Sequence, residues 1–179
     1  MASILIRTIE PSDLPQLMAL DHSSTSEAVW QLELQRDPRE SRILASFREV
    51  RLPRPVALAY PIDPFSLADE WVNKAMMFTA VAGKNPVGYI ALSQRSGAVS
   101  WITDVVVAPR WRRQGVATML LGSAHEWSQS RHHRRVFLEM QSKNQPAIKL
   151  AQKLGYEFCG YNDHYYLTQD IALFFVRAL

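Results

Sequence analysis

The chain has 179 residues, 47% of them hydrophobic and 21% charged, with a net charge of +3 and an isoelectric point near 9.2. That length and apolar content predict one compact domain over residues 1–179, and the single Cys159 excludes an internal disulfide or a cysteine metal cluster. No segment has the order of a secretion signal and no apolar run approaches a membrane span, so a cytoplasmic protein without membrane association is expected. The positive excess suits an anionic ligand but is too small to argue for nucleic acid.

Residues 3–8 alternate weakly and predict a first strand. Ser12 stands where it would cap a short helix carrying Leu14, Leu17 and Met18, with Pro15 tolerated in the first turn. Trp30, Leu32 and Leu34 alternate with Gln31, Glu33 and Gln35. Ile43, Ala45 and Phe47 repeat that period after Asp37-Pro38-Arg39, so a hairpin is predicted. Four prolines from Pro53 to Pro64 predict a loop or a sheet edge. Strands follow at 77–81, 87–92 and 99–107, joined by turns at Gly83-Lys84-Asn85 and Ser96-Gly97. Val116, Met119, Leu120, Ser123, Ala124 and Trp127 then share one helix face. A buried strand at 136–140 precedes a helix capped by Asn144, with Ala147, Leu150, Ala151 and Leu154 facing inward. Strands at 156–161 and 171–176 close the sheet.

The most informative run is Arg112-Arg113-Gln114-Gly115-Val116-Ala117. It lies between the apolar strand end Val105-Val106-Val107-Ala108, closed by Pro109, and a helix. The first backbone N–H groups of a helix have no intrahelical partner, and the macrodipole adds roughly half a positive charge there. Gly115 lets a ligand approach the backbone, and the two arginines add charged donors, which together suit a pyrophosphate. An ordinary basic helix start on the surface is the other reading of this run.

The spacing Arg-x-x-Gly-x-Ala after a strand ending in Val-x-Pro resembles the acetyl-CoA site of the GNAT N-acetyltransferases. A second matching segment runs through Leu138-Glu139-Met140, Asn144-Gln145-Pro146-Ala147 and Leu154-Gly155-Tyr156. Neither a Walker A loop nor a Gly-x-Gly-x-x-Gly turn occurs. Nearly the whole chain further resembles the streptothricin (nourseothricin) acetyltransferases. That likeness is carried by Met18-Ala19-Leu20-Asp21, Phe47-Arg48-Glu49-Val50, Asp104, Asn144 with Pro146-Ala147-Ile148, Cys159-Gly160, Tyr166 and Ile171-Ala172-Leu173-Phe174.

The resemblance implies an α/β fold of GNAT type, a mixed and mostly antiparallel sheet flanked by helices. It implies acetyl-CoA as cosubstrate, its pyrophosphate on Arg112, Arg113, Gln114, Gly115, Val116, Ala117 and Thr118. The pantetheine would lie along Val105, Val106 and Val107 and meet Asn144 and Ala147. The acceptor would be a primary amine of a small cationic molecule, attacking the thioester directly in a ternary complex without a metal. A peptide N-terminus or lysine is an alternative acceptor, and a non-catalytic acyl-CoA sensor is an alternative function. One departure stands out: the family tyrosine seven residues after the asparagine, taken as the acid for the leaving thiolate, is here Ala151.

Asp104 and Glu139 each interrupt an apolar strand, where a carboxylate is costly unless paired. Each carries two readings, a structural hydrogen bond or ion pair, and a catalytic anchor or base for a cationic amine. A lysine-like ammonium with a pKa of ~10.4 is neutral in only about one molecule in a few thousand at pH 7, so a proton must be removed before attack. Tyr166 is the leading candidate for the acid in the aromatic tail, whose other members suit core or a homodimer surface. His125, His132 and His133 are rejected as metal ligands. The basic run around His132 and His133 is expected to complement the preceding helix dipole, and Cys159 is expected to be core.

Overall fold

The computed structural model describes residues 3–37, 39, 41–95, 97–168 and 170–179. A seven-stranded sheet has the order β1-β4-β5-β6-β7-β9-β8. Its strands are β1 (Ile4–Thr8), β4 (Met76–Ala82), β5 (Asn85–Arg95), β6 (Val99–Val107), β7 (Arg135–Gln141), β8 (Glu157–Asn162) and β9 (Ala172–Ala178). The β6–β7 pair is parallel and every other neighbour antiparallel, the mixed and mostly antiparallel sheet that the family resemblance implied. Between β1 and β4 the chain forms α1 (Leu14–Met18), the antiparallel hairpin β2 (Ser24–Asp37) with β3 (Arg42–Leu58), and the short α2 (Leu67–Glu70). The long helix α3 (Val116–Ser130) connects β6 to β7, and α4 (Gln145–Lys153) connects β7 to β8.

Two apolar layers cover the sheet. On one face Val116, Leu120, Leu121 and Ala124 of α3, with Ile148 and Ala151 of α4, pack on Ile90, Ile102, Leu138, Leu173 and Phe175. On the other, Leu14 and Leu17 of α1 and Leu67 of α2 pack on Met77, Tyr89, Ala91 and Val106. The hairpin docks on the first layer through Trp30, whose ring lies 6.0 Å from Phe175, and Phe47, 5.2 Å from Tyr161. Towards its tip Ile43 and Leu44 are exposed.

Several expectations change in detail. Ser12 does not cap the first helix; a turn begins at Pro11, closed by reciprocal bonds between Glu10 and Asp13. The proline segment is not simply a loop, since β3 runs through Pro53 and Pro55. There the register jumps from Ala28↔Arg51 to Ser26↔Val56, so both prolines fall in a bulge where a ladder donor is not needed. Pro38 and Ser96, expected in turns, lie outside the described residues. His133, at the C-terminal end of α3, is buried: its backbone N–H bonds the Ser128 carbonyl at 3.0 Å, and its Nδ1 lies 2.6 Å from Ser100 Oγ. Cys159 is exposed on β8, not core, and donates to the Phe174 carbonyl at 3.3 Å.

Gly88 of β5 faces Val107 of β6, and a Cβ there would stand 2.6 Å from the Val106 carbonyl oxygen. Backbone cannot yield as a side chain would. Gly88→Ala is expected to destabilise the fold by about 1–3 kcal/mol through overpacking. Thermal unfolding should show Tm lowered by roughly 2–10 °C.

Candidate active site

β6 and β7 pair only from Val99↔Arg135 to Ile102↔Leu138. Beyond that point β6 stays with β5 through Gly88↔Val107, and β7 stays with β9 through Gln141↔Ala172. The strands therefore part, and the β7-facing edge of β6 from Thr103 to Val107 carries no ladder. Backbone N–H and C=O groups on such an edge need partners, which makes it a template for an extended ligand.

At the fork, the register passes from Ala91↔Asp104 to Leu92↔Ile102, leaving Thr103 as an extra residue in a bulge. The bulge turns Thr103 and Asp104 to the same side, away from α3. Thr103 Oγ1 donates to Asp104 Oδ2 at 2.7 Å, and Lys74 Nζ donates to Thr103 Oγ1 at 3.2 Å. Lys74 Nζ is 3.5 Å from Asp104 Oδ2 and 3.8 Å from Glu70 Oε2. Tyr60 donates its hydroxyl to Asp104 Oδ1. The buried Asp104 is thus paired on both oxygens, which meets its desolvation cost. Burial and the nearby carboxylate push the Tyr60 hydroxyl well above its ordinary range, so it remains a donor.

His22 sits beside this cluster, its ring 5.1 Å from Tyr60. Its Nδ1 lies 2.7 Å from the Leu20 carbonyl and can only donate there, so in the neutral ring Nε2 accepts from the Tyr89 hydroxyl at 3.2 Å. Burial lowers the His22 pKa and favours that neutral form.

Across the fork, Glu139 shares the face of Trp101. Its Oε2 accepts from Trp101 Nε1 at 2.7 Å and from the exposed Tyr165 hydroxyl at 2.8 Å. Burial raises the Glu139 carboxyl pKa above 4.5, while these two donors oppose the shift. Tyr166 is half-buried beside Tyr165, and burial, then the charges of Glu139, Tyr165 and Asp104, raise its hydroxyl pKa. Asp104, Glu139 and Tyr166 therefore lie near enough on one side of the sheet for the two carboxylates to act electrostatically on the Tyr166 hydroxyl. The loop bearing Tyr166 is held by the buried Asp170, which pairs with Lys143 and accepts from Gln141 at 2.8 Å and Thr168 at 3.1 Å.

At the other end of the β6 edge lies the N-terminus of α3. Gly115 is its cap residue in left-handed conformation, φ +87°, and no side chain caps the helix. Arg113 is also left-handed, φ +63°, and exposed. The turn presents the early helix donors to solvent at Gly115 and Thr118, while the Val116 side chain is core and leaves only its N–H for a ligand. The Arg112 side chain is engaged with backbone. Its Nε donates to the Val107 carbonyl at 2.8 Å, and its Nη2 to those of Asp21 and Ser23 at 3.0 and 2.7 Å. The side chain ties the loop after α1 to the end of β6. Asn144 caps α4 as expected, its Oδ1 accepting from Ala147 N at 3.3 Å, which leaves its amide NH2 for another partner.

The acetyltransferase (GNAT) family model matches residues 34–156, a span holding the fork, the α3 turn and Glu139. The chain belongs to that family. It is an N-acetyltransferase. It is 28% identical over 170 residues to the streptothricin acetyltransferase of Streptomyces lavendulae, covering 89% of this chain and 85% of that one. A crystal structure of nourseothricin acetyltransferase superposes with a TM-score of 0.81 at 25% identity, with 98% of each chain covered. A Bacillus anthracis str. Ames protein described as a streptothricin acetyltransferase, solved in complex with acetyl coenzyme A, has a TM-score of 0.76 at 24% identity, with 99% of this chain and 100% of that one covered.

Among the described residues no helix is long and apolar enough to cross a membrane. Tyr60, Lys74, Thr103 and His22 escaped the sequence reading. Tyr60 lies in the proline-rich stretch, Lys74 between two elements, and only the bulge turns Thr103 toward Asp104. Ala151, where the family tyrosine was expected, is fully buried in the α3-side core. A tyrosine there would overpack that layer before it could serve as an acid.

Removing the Arg112 guanidinium leaves three carbonyls without their donor. Arg112→Ala is expected to lower stability by about 1–3 kcal/mol. Hydrogen exchange should accelerate at residues 20–24 before it changes in the sheet.

Proposed function

We propose that the chain transfers the acetyl group of acetyl-CoA to a primary amine of a small cationic molecule of streptothricin type. The observation that carries this reading is the pair of carboxylates, Asp104 and Glu139, on one sheet face either side of the β6–β7 fork. The pyrophosphate would rest on the backbone donors of residues 114–118 with Arg113 beside them, and Arg112 would brace the turn rather than touch phosphate. The pantetheine would extend along Val105, Val106 and Val107 on the unladdered edge, met by the Asn144 amide. That arrangement brings the thioester toward the bulge, where a strand N–H can polarise its carbonyl.

Asp104 suits a cation anchor, since it already holds an ammonium, that of Lys74. Glu139 suits the proton acceptor: its partners are neutral donors and burial raises its pKa, so it binds a proton more readily than an exposed glutamate. Glu139 takes one proton from the ammonium, and the free amine attacks the thioester carbon. The C–S bond breaks, and the thiolate takes a proton from Tyr166 or water, which the second proton leaving nitrogen replaces. The chemistry asks for no metal and no covalent enzyme intermediate.

A thiol-release assay with acetyl-CoA and a panel of amines, including streptothricin and short peptides, tests the reading. Release with streptothricin but not with peptides supports it, whereas release with peptides alone would move the acceptor to a protein N-terminus or lysine. Arg113→Ala should weaken acetyl-CoA binding about tenfold by calorimetry, through loss of a charge-assisted contact. Asp104→Asn should raise the KM of the amine with acetyl-CoA affinity unchanged. Glu139→Gln should lower kcat by about 10²–10⁴-fold. Because Glu139 must be ionised to accept a proton and its pKa is raised, activity should grow as pH rises through a limb above 4.5 that Glu139→Gln abolishes.

A further inference from the structure

The ammonium of Lys74 occupies the place that the reading above gives to the acceptor. Lys74 follows a helical turn at Trp71–Asn73 and precedes β4, and its backbone N–H bonds the Trp71 carbonyl at 3.2 Å. The side chain runs inward to the bulge, with 13% of its surface exposed. Its Nζ lies within 3.2–3.8 Å of Thr103 Oγ1, Asp104 Oδ2 and Glu70 Oε2. A shallow crevice lined by Tyr60, Glu70, Lys74, Tyr89 and Asp104 opens beside it, holding about 10 Å³, room for a water at most. The remaining lysines, Lys84, Lys143, Lys149 and Lys153, lie outside this cluster, so Lys74 alone stands at the fork.

We propose that Lys74 is an internal acceptor: with acetyl-CoA bound and no amine substrate present, the enzyme acetylates the Lys74 Nζ. This rests on the proposed position of the thioester at the β6 bulge. The ammonium first loses one proton, to water or a neighbouring carboxylate. The free amine attacks the thioester carbon, the C–S bond breaks, and a second proton passes from nitrogen to the departing thiolate. The products are Nε-acetyllysine, free coenzyme A thiol and one proton released. The amine must leave its contact with Asp104 before it can attack, so the step is slow compared with turnover of a bound amine substrate that Glu139 can deprotonate. Once acetylated, Lys74 carries no charge, and Asp104 is left to the cation of an incoming acceptor.

The experiment incubates the full chain with acetyl-CoA carrying an isotope-labelled acetyl group, without amine, and maps the label by peptide mass spectrometry. Proximity should favour Lys74 over the exposed Lys149 by at least about tenfold, despite Lys149's greater exposure. The rate should be first order and independent of protein concentration, and added streptothricin should suppress it. Lys74→Arg, which keeps the ion pair, should lose the dominant label while retaining acetyl-CoA affinity by calorimetry. Binding of acetyl-CoA with label absent from Lys74, or spread over lysines according to exposure, would overturn the inference and leave the acetyltransferase reading intact. Failure to bind acetyl-CoA at all would overturn both.

Discussion

The site depends on the parting of two parallel strands. β6 and β7 share a ladder for four residue pairs, and each then keeps only its antiparallel partner. Helix α3 has to cross from the end of β6 to the start of β7, and its core residues Val116, Leu120 and Ala124 belong to the layer that packs on β6, β5 and β4. The same helix puts its unsatisfied N-terminal donors at the open end of the fork. The polar backbone along the free edge and the anion-favouring helix start are thus two results of one crossover connection. An extended ligand with an anionic end matches both at once.

The bulge at Thr103 adds chemistry to this geometry. In a regular strand Thr103 and Asp104 would point to opposite faces. With one residue looped out, both side chains meet Lys74 on the α1 side of the sheet, the side where Glu139 and Tyr166 also stand. The two carboxylates differ in their company. Asp104 has a cation and a tyrosine hydroxyl, whereas Glu139 has an indole N–H and a phenol, with the Arg95 guanidinium 4.1 Å from the Trp101 ring centre. A carboxylate with an ion partner is suited to exchange that partner for another cation. One held by neutral donors in a half-buried place is suited to take up a proton and release it.

The positions of the strands followed from local pattern, including the β2–β3 hairpin, whose Leu32, Leu34, Ala45 and Phe47 share a face, whereas their order in the sheet did not. The Asn144 cap was equally legible, because an asparagine before a proline-initiated helix has one favourable use. Contacts between distant segments were not legible. Nothing local to Arg112 indicates that its guanidinium reaches the carbonyls of Asp21 and Ser23, about ninety positions earlier in the chain. Nothing around Tyr60 and Lys74 identifies them as partners of Asp104. The bulge was hidden for another reason: in an apolar strand one added residue leaves composition unchanged while reversing the face of each residue beyond it.

The alanine at 151 bears on how the thiolate would leave. Ala151 is packed into the α3-side core, and the nearby Tyr156 is turned the other way, its hydroxyl 2.6 Å from His125 Nε2. Neither offers an acid to the fork. Tyr166 reaches the same face as Glu139 from the loop anchored by Asp170, and burial keeps its hydroxyl protonated. A thiol with a pKa near 8.5 is a tolerable leaving group even unaided, so loss of an acid would cost about 10²-fold rather than abolish transfer. The phenol that the proposed mechanism takes from Tyr166 stands on the side of the sheet away from α4, so the packing around Ala151 does not compete with it.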